Sequence, residues 1–169
     1  MSSEEASFGL KATSPGLGWG LGMLLRAWSE RVNAALSTCP AGSRGYLILS
    51  MVVHHAPPSQ AVLATALSMD RTVLTYLIDD LERAGLVERR PVPGDRRARM
   101  VVATDAGRLE LEQAEAKVRA VEVDVLSGLE DSERTQFRTF VMRAAAAIQA
   151  ASPDTDPCMA VEAVSADLT

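Results

Sequence analysis

With 169 residues, 47% apolar and 23% charged, the chain has the composition of one globular domain with tails, not of a disordered polymer. Its net charge of −5 is unevenly spread: residues 100–169 carry 6 basic and 13 acidic groups, whereas residues 89–99 carry five arginines against Asp95. Screening over ~10 Å makes that local excess, rather than the total, decide whether phosphate is bound.

Aromatics are only 4%, so the core must come from Leu, Val, Ile, Met and Ala, a palette that favours helix. No apolar run nears the ~18–20 residues that span a bilayer. Met1-Ser2-Ser3-Glu4-Glu5 lacks the basic-then-apolar pattern of a secretory signal, so a cytoplasmic location with no membrane partner is expected. Cys39 and Cys158 form neither a disulfide framework nor a metal-ligand pattern, and no cofactor is expected.

Taken in chain order, residues 1–15 read as a flexible lead-in and residues 16–150 as the folded domain. Leu17, Leu21, Leu24, Leu25, Trp28, Val32 and Leu36 recur at helical spacing and predict a helix to about residue 37, broken by Pro40 and Gly42. Gly16, Gly18, Gly20 and Gly22 alternate at its start. They fit no dinucleotide fingerprint, and fraying of the helix end is favoured over a close seam. A second helix is expected over 43–54, before Pro57-Pro58.

Ser59 is then a candidate N-cap for a short helix with Leu63, Ala64 and Leu67 inside. A tight turn at Ser68-Met69 leads into a helix over 70–84, with Val73, Leu74, Leu77, Ile78 and Leu81 expected inward and Gly85 as its stop. Helix, short turn, helix in this pattern is a helix-turn-helix. Two strands at 86–91 and 98–103 flank a Pro93-Gly94 turn and charge, which makes a hairpin with a basic tip: a wing. Thr104 can cap a long helix to about residue 126. A last helix over 131–150 has Phe137, Phe140, Val141, Ala144 and Ile148 on its inner face. Residues 151–169 read as a disordered acidic tail.

Leu67 to Thr72, the run Leu81-Glu82-Arg83-Ala84-Gly85-Leu86-Val87-Glu88-Arg89, Asp95-Arg96-Arg97-Ala98 and Thr104-Asp105-Ala106-Gly107 resemble the MarR family of multiple-antibiotic-resistance-type regulators over about residues 20–150. The resemblance implies a mainly α fold with a small β-hairpin, a winged helix-turn-helix whose N- and C-terminal helices (16–55 and 104–150) form a dimerisation lobe beside a DNA-binding lobe (56–103). It implies a homodimer on a pseudo-palindromic operator, a repressor by expectation, with affinity lowered by a small molecule or an oxidant. Ser68 stands where glycine is common, and Tyr76 and Asp80 where many members carry basic residues, so no operator can be transferred.

At 100° per residue, the face opposite the inward set carries Thr72, Thr75, Tyr76, Asp79 and Arg83. The N-terminal half of such a helix enters the major groove, which nominates Arg71, Thr72, Thr75 and Tyr76 as base and phosphate contacts. Asp79, Asp80 and Glu82 would repel the backbone. Arg96 or Arg97 would reach a narrow minor groove, and in the resemblance Asp95 steadies the hairpin by pairing with Arg97. Ser59 either caps its helix or adds a phosphate contact. Two such readers must sit ~34–36 Å apart to meet successive major grooves, which a dimer provides.

Trp28 with His54 or His55 would line an effector pocket between the lobes, against the alternative of core packing and solvent-facing histidines. Cys39 has no cation beside it in sequence, so redox sensing is the lesser reading. Adjacent His54 and His55 leave too few ligands for zinc. No nucleophile–base pair, phosphate-binding loop or carboxylate pair supports an enzyme. The rival from another class is a winged helix that binds protein, with affinity nearly independent of salt.

Overall fold

A computed structural model describes residues 16–57 and 59–151, apart from the side chains of 96, 97 and 149; the segments read as lead-in and tail otherwise lie outside the described residues. Six helices and one hairpin follow in the expected order. They are α1 (Leu17–Ala35), α2 (Gly42–His55), α3 (Gln60–Ala66), α4 (Arg71–Arg83), β1 (Val87–Val92), β2 (Asp95–Ala103), α5 (Asp105–Val125) and α6 (Asp131–Ala151).

The hairpin is longer than its apolar pattern predicts, because Asp95 pairs with Val92 directly across the turn and β2 takes up the charged residues. Gly94 turns at φ 85, and the register slips between Pro91 and Val92, where proline has no N–H to give to the ladder.

Two cores form. The larger joins α2, α3, α4 and the hairpin around Ile48, Leu63, Leu74, Ile78 and Leu81, each fully enclosed, and reaches Leu111 on α5. The smaller is Val32 from α1, Leu36 and Cys39 just past its end, and Ala114 and Val118 from α5, with Trp28 against it. Tyr46 packs on both. Both tryptophans, Trp19 and Trp28, lie on α1.

The Thr104-to-Gly107 motif has a clear local cause. Thr104 Oγ1 accepts from the Gly107 amide at 3.0 Å and donates to the Gly85 carbonyl at 2.7 Å, tying the start of α5 to the end of α4. A Cβ on Gly107 would stand 2.0 Å from the Leu86 carbonyl oxygen, so only glycine lets α5 approach that closely.

α6 departs from expectation. Phe140, Val141 and Ile148, expected inside, are exposed, and every residue of α6 with a described side chain beyond Phe137 is exposed. The helix is amphipathic, but among the described residues most of that face stays uncovered. No single described helix is long and apolar enough to cross a membrane.

Candidate nucleic-acid interface

The turn joining α3 to α4 and the turn ending α4 share one geometry. In the first, the Met69 amide donates to Ala64 O and the Ser68 amide to Thr65 O; in the second, Leu86 donates to Leu81 O and Gly85 to Glu82 O. Both are Schellman caps, and each needs a left-handed residue at the same place. Gly85 takes φ 73 freely, whereas Ser68 holds φ 46 at a cost of ~1–2 kcal/mol for an L-residue.

Ser59 accepts from the Val62 amide at 3.2 Å and caps α3 as expected. Asp70 caps α4, its Oδ1 accepting from the Thr72 and Val73 amides at 2.8 and 3.2 Å. Those backbone bonds, Val73's first, hold its carboxyl below the ordinary carboxylate range.

Leu74, Ile78 and Leu81 bury one stripe of α4, narrower than the sequence suggests. Leu77 is half-buried, and Val73 is 38% exposed on the flank of the outer face, a correction to its inward assignment. Thr72 is exposed, as is Tyr76 at 67%. Arg71 is exposed and, with Gln60, Ala61, Ala64, Leu74 and Thr75, lines a shallow groove of ≈ 180 Å³ between α3 and α4. Thr75 is committed locally: its hydroxyl donates to Arg71 O at 2.7 Å and accepts from Gln60 Nε2 at 3.2 Å. Ser59, Arg71, Thr72, Thr75 and Tyr76 thus lie along α3 and α4, on either side of the turn.

The acidic half of α4 is not the open charge that the sequence suggests. Arg89 on β1 bonds Asp79 Oδ1 at 2.5 Å, donates to the Glu82 carboxylate, and reaches Thr75 O at 3.3 Å. Asp80 pairs with Arg83, and Glu88 with Arg90. Arg89 counts among the five arginines of the basic segment, but a count of charge does not show its pairing with α4. Strand alternation held the clue, since Arg89 follows Val87 by two and shares its helix-facing side.

At the wing, Asp95 Oδ1 accepts from the Ala98 amide at 3.2 Å, a bond that braces the turn from within β2. Arg96 and Arg97 occupy β2 immediately after the turn, and their side chains lie outside the described residues, as does the pairing of Asp95 with Arg97.

The residues nominated for an effector pocket do not meet. Trp28 lines an apolar groove of ≈ 310 Å³ with Leu21, Leu25, Val125, Phe137 and Val141, between α1, α5 and α6. His54 is elsewhere, its Nε2 2.8 Å from Glu115 Oε1 on α5, and His55 faces solvent. Cys39 does have a cation beside it, Lys117 Nζ at 3.8 Å, which sequence adjacency could not reveal. Burial and the Glu110 side chain outweigh that lysine and push the thiol up, away from the reactive thiolate.

A family model described as MarR family matches residues 45–98, from α2 to the wing. Among solved structures, a MarR family transcriptional regulator from Rhodococcus sp. RHA1 is 31% identical, with a TM-score of 0.61 over 80% of this chain and 96% of that one. CouR from Rhodococcus jostii RHA1, bound to p-coumaroyl-CoA, is also 31% identical, with a TM-score of 0.57 over 80% and 95%. A Mycobacterium tuberculosis MarR family protein in complex with DNA is 27% identical, with a TM-score of 0.65 over 77% and 98%.

Proposed function

The chain belongs to the MarR family and is a DNA-binding, ligand-responsive transcriptional regulator; from that premise, we propose that it works in the cytoplasm as a homodimeric repressor of a pseudo-palindromic operator, by binding and not by catalysis. The single observation that carries the DNA-reading part is the capped helix α4 with Thr72 and Tyr76 exposed on its outer face, beside a hairpin with Arg96 and Arg97 immediately after its turn. In this reading Arg71 and the α4 N-terminus meet phosphate, Thr72 and Tyr76 meet base edges, and Arg96 or Arg97 enters the adjacent minor groove. Ser59 caps α3 within reach of the same backbone, Thr75 shapes the surface through its two local bonds, and Asp95 keeps the wing in form.

The exposed apolar side chains Leu17, Leu21, Met23, Val123, Phe140 and Ile148 support the dimer, since they cluster on α1, α5 and α6 and stay open to solvent among the described residues. A second copy packed there would hold two α4 helices ~34–36 Å apart. The groove at Trp28 lies in that same seam, so an apolar effector lodged in it acts by reseating one protomer against the other and shifting the reader spacing. His54 and His55 take no part in that pocket; His54 instead ties α2 to α5.

Selection of duplexes from random DNA, followed by titration of the wild type and of Arg96→Ala with Arg97→Ala, tests the reading. The enriched site is expected to be two-fold symmetric with half-sites about 10 base pairs apart. The double variant should stay dimeric, lose affinity, and flatten the salt dependence by about 0.9 per lost phosphate contact. Unchanged affinity refutes the wing's role, and failure to enrich any site refutes sequence-specific binding.

A further inference from the structure

Arg89 belongs to the basic segment by sequence but not by placement. Its guanidinium lies over the flank of α4 and engages Thr75 O, Asp79 Oδ1 and the Glu82 carboxylate, while its own backbone amide donates to Glu82 Oε1 at 3.2 Å. Thr75, Asp79 and Glu82 stand at i, i+4 and i+7, one stripe along the helix. The Arg89 side chain is 21% exposed, against 44% for Asp79 and 40% for Glu82, so the cation is more enclosed than either partner.

We propose that Arg89 is a positioning residue for DNA reading and not a DNA ligand: it locks the first wing strand to the acidic half of the recognition helix. This rests on the reading of α4 and the hairpin as the DNA-contacting elements.

Two physical consequences follow from the geometry. A planar guanidinium held at several points fixes the angle of β1 to α4, not merely their separation, which a flexible ammonium could not do. The wing can then be aimed at the minor groove while α4 sits in the major groove. The same contacts also commit guanidinium N–H groups to the Asp79 and Glu82 carboxylates. Donors spent on those carboxylates are not available to DNA. Of the five arginines, Arg89 therefore contributes order where Arg96 and Arg97 contribute charge.

Titration of the full-length chain on its selected operator and on unrelated duplex, over a range of salt, separates the two roles. Arg89→Gln and the pair Asp79→Asn with Glu82→Gln should each weaken operator binding about tenfold while affinity for unrelated duplex changes little. Combining all three changes should cost no more than either alone, because one linkage is removed each time. The salt slope of R89Q should equal that of the wild type, since no phosphate contact is lost. Arg89→Lys should recover only part of the affinity, because it restores charge without the fork.

If R89Q flattens the salt slope by about 0.9 and the Asp79/Glu82 pair binds more tightly than the wild type, Arg89 is a phosphate ligand and the proposal falls. Operator affinity within twofold of the wild type in R89Q also overturns it. Should R89Q not fold, the Asp79/Glu82 variant, which keeps the arginine, decides on the same criteria. A wild type that binds no selected duplex defeats the DNA reading itself, a failure visible before any variant is made.

Discussion

Beneath the recognition helix, fourteen buried residues from α2 through α5 close on one another, whereas the smaller core between α1, the loop after it and α5 has only five, and the described side chains of α6 add none. The larger core satisfies its apolar faces within one chain. The helical arm does not: Trp19, Phe140, Val141 and Ile148 are all open to solvent. Amphipathic periodicity marks helices in both regions, most strongly α4, but the pattern says that a face is to be buried and not by whom. The reader thus satisfies its apolar faces internally, whereas the arm leaves its own open among the described residues, which a second copy would cover in the proposed dimer.

The sharpest way to break this contrast is Phe140→Asp, on the exposed face of α6. Sedimentation should show monomers with the reader still folded, and operator binding should lose the ~10²–10⁴-fold gain that linking two half-site readers provides. A dimer that survives the charge would put the seam elsewhere. Leu74→Ala, at 0% exposure in the larger core, should instead cost ~2–5 kcal/mol of unfolding free energy. That loss should be the same at every protein concentration, and a loss that shrinks on concentration would mean the reader also leans on the partner.

A smaller effect concerns the α4 cap. Asp70's carboxyl is held below its ordinary value, so its contribution is fully present above the unfolded value of ~3.9 and lost as pH falls through the depressed folded one. Chemical unfolding of the wild type and Asp70→Ala should show a gap at pH 7 that narrows at strongly acid pH. A gap constant with pH would show that the charge is irrelevant to the cap. Smallest is Ser68→Gly, which relieves φ 46 in the reader's turn and should raise stability by no more than ~1 kcal/mol. A lower melting temperature in S68G would mean that the serine conformation is not strained.

The order of elements was legible because each boundary has its own chemistry. Ser59 and Thr104 cap as their residue types suggest, Gly85 turns left-handed, and the Pro93-Gly94 turn closes the hairpin. Less legible was anything set by contacts between elements distant in sequence. Val73 lies more than a third exposed because α2, α3 and the hairpin cover only the stripe of Leu74, Ile78 and Leu81. Arg89 meets Asp79 and Glu82 because a strand folds back along a helix, and a charge count over residues 89–99 cannot register such pairing. Trp28 and His54 part company because α5 presents different faces to α1 and α2. Which side chains of the site touch DNA depends on a molecule the sequence does not contain.

Since both indoles sit on α1, selectively excited tryptophan emission watches the arm and is blind to the reader. Trp28 leans on the small core and lines the groove between α1, α5 and α6, so its spectrum follows packing there, whatever enters that groove and, in the proposed dimer, association. Backbone ellipticity, weighted toward all six helices, follows the whole. The two optical signals consequently need not trace one curve on dilution or heating, and the gap between them measures how far the arm comes loose before the reader melts.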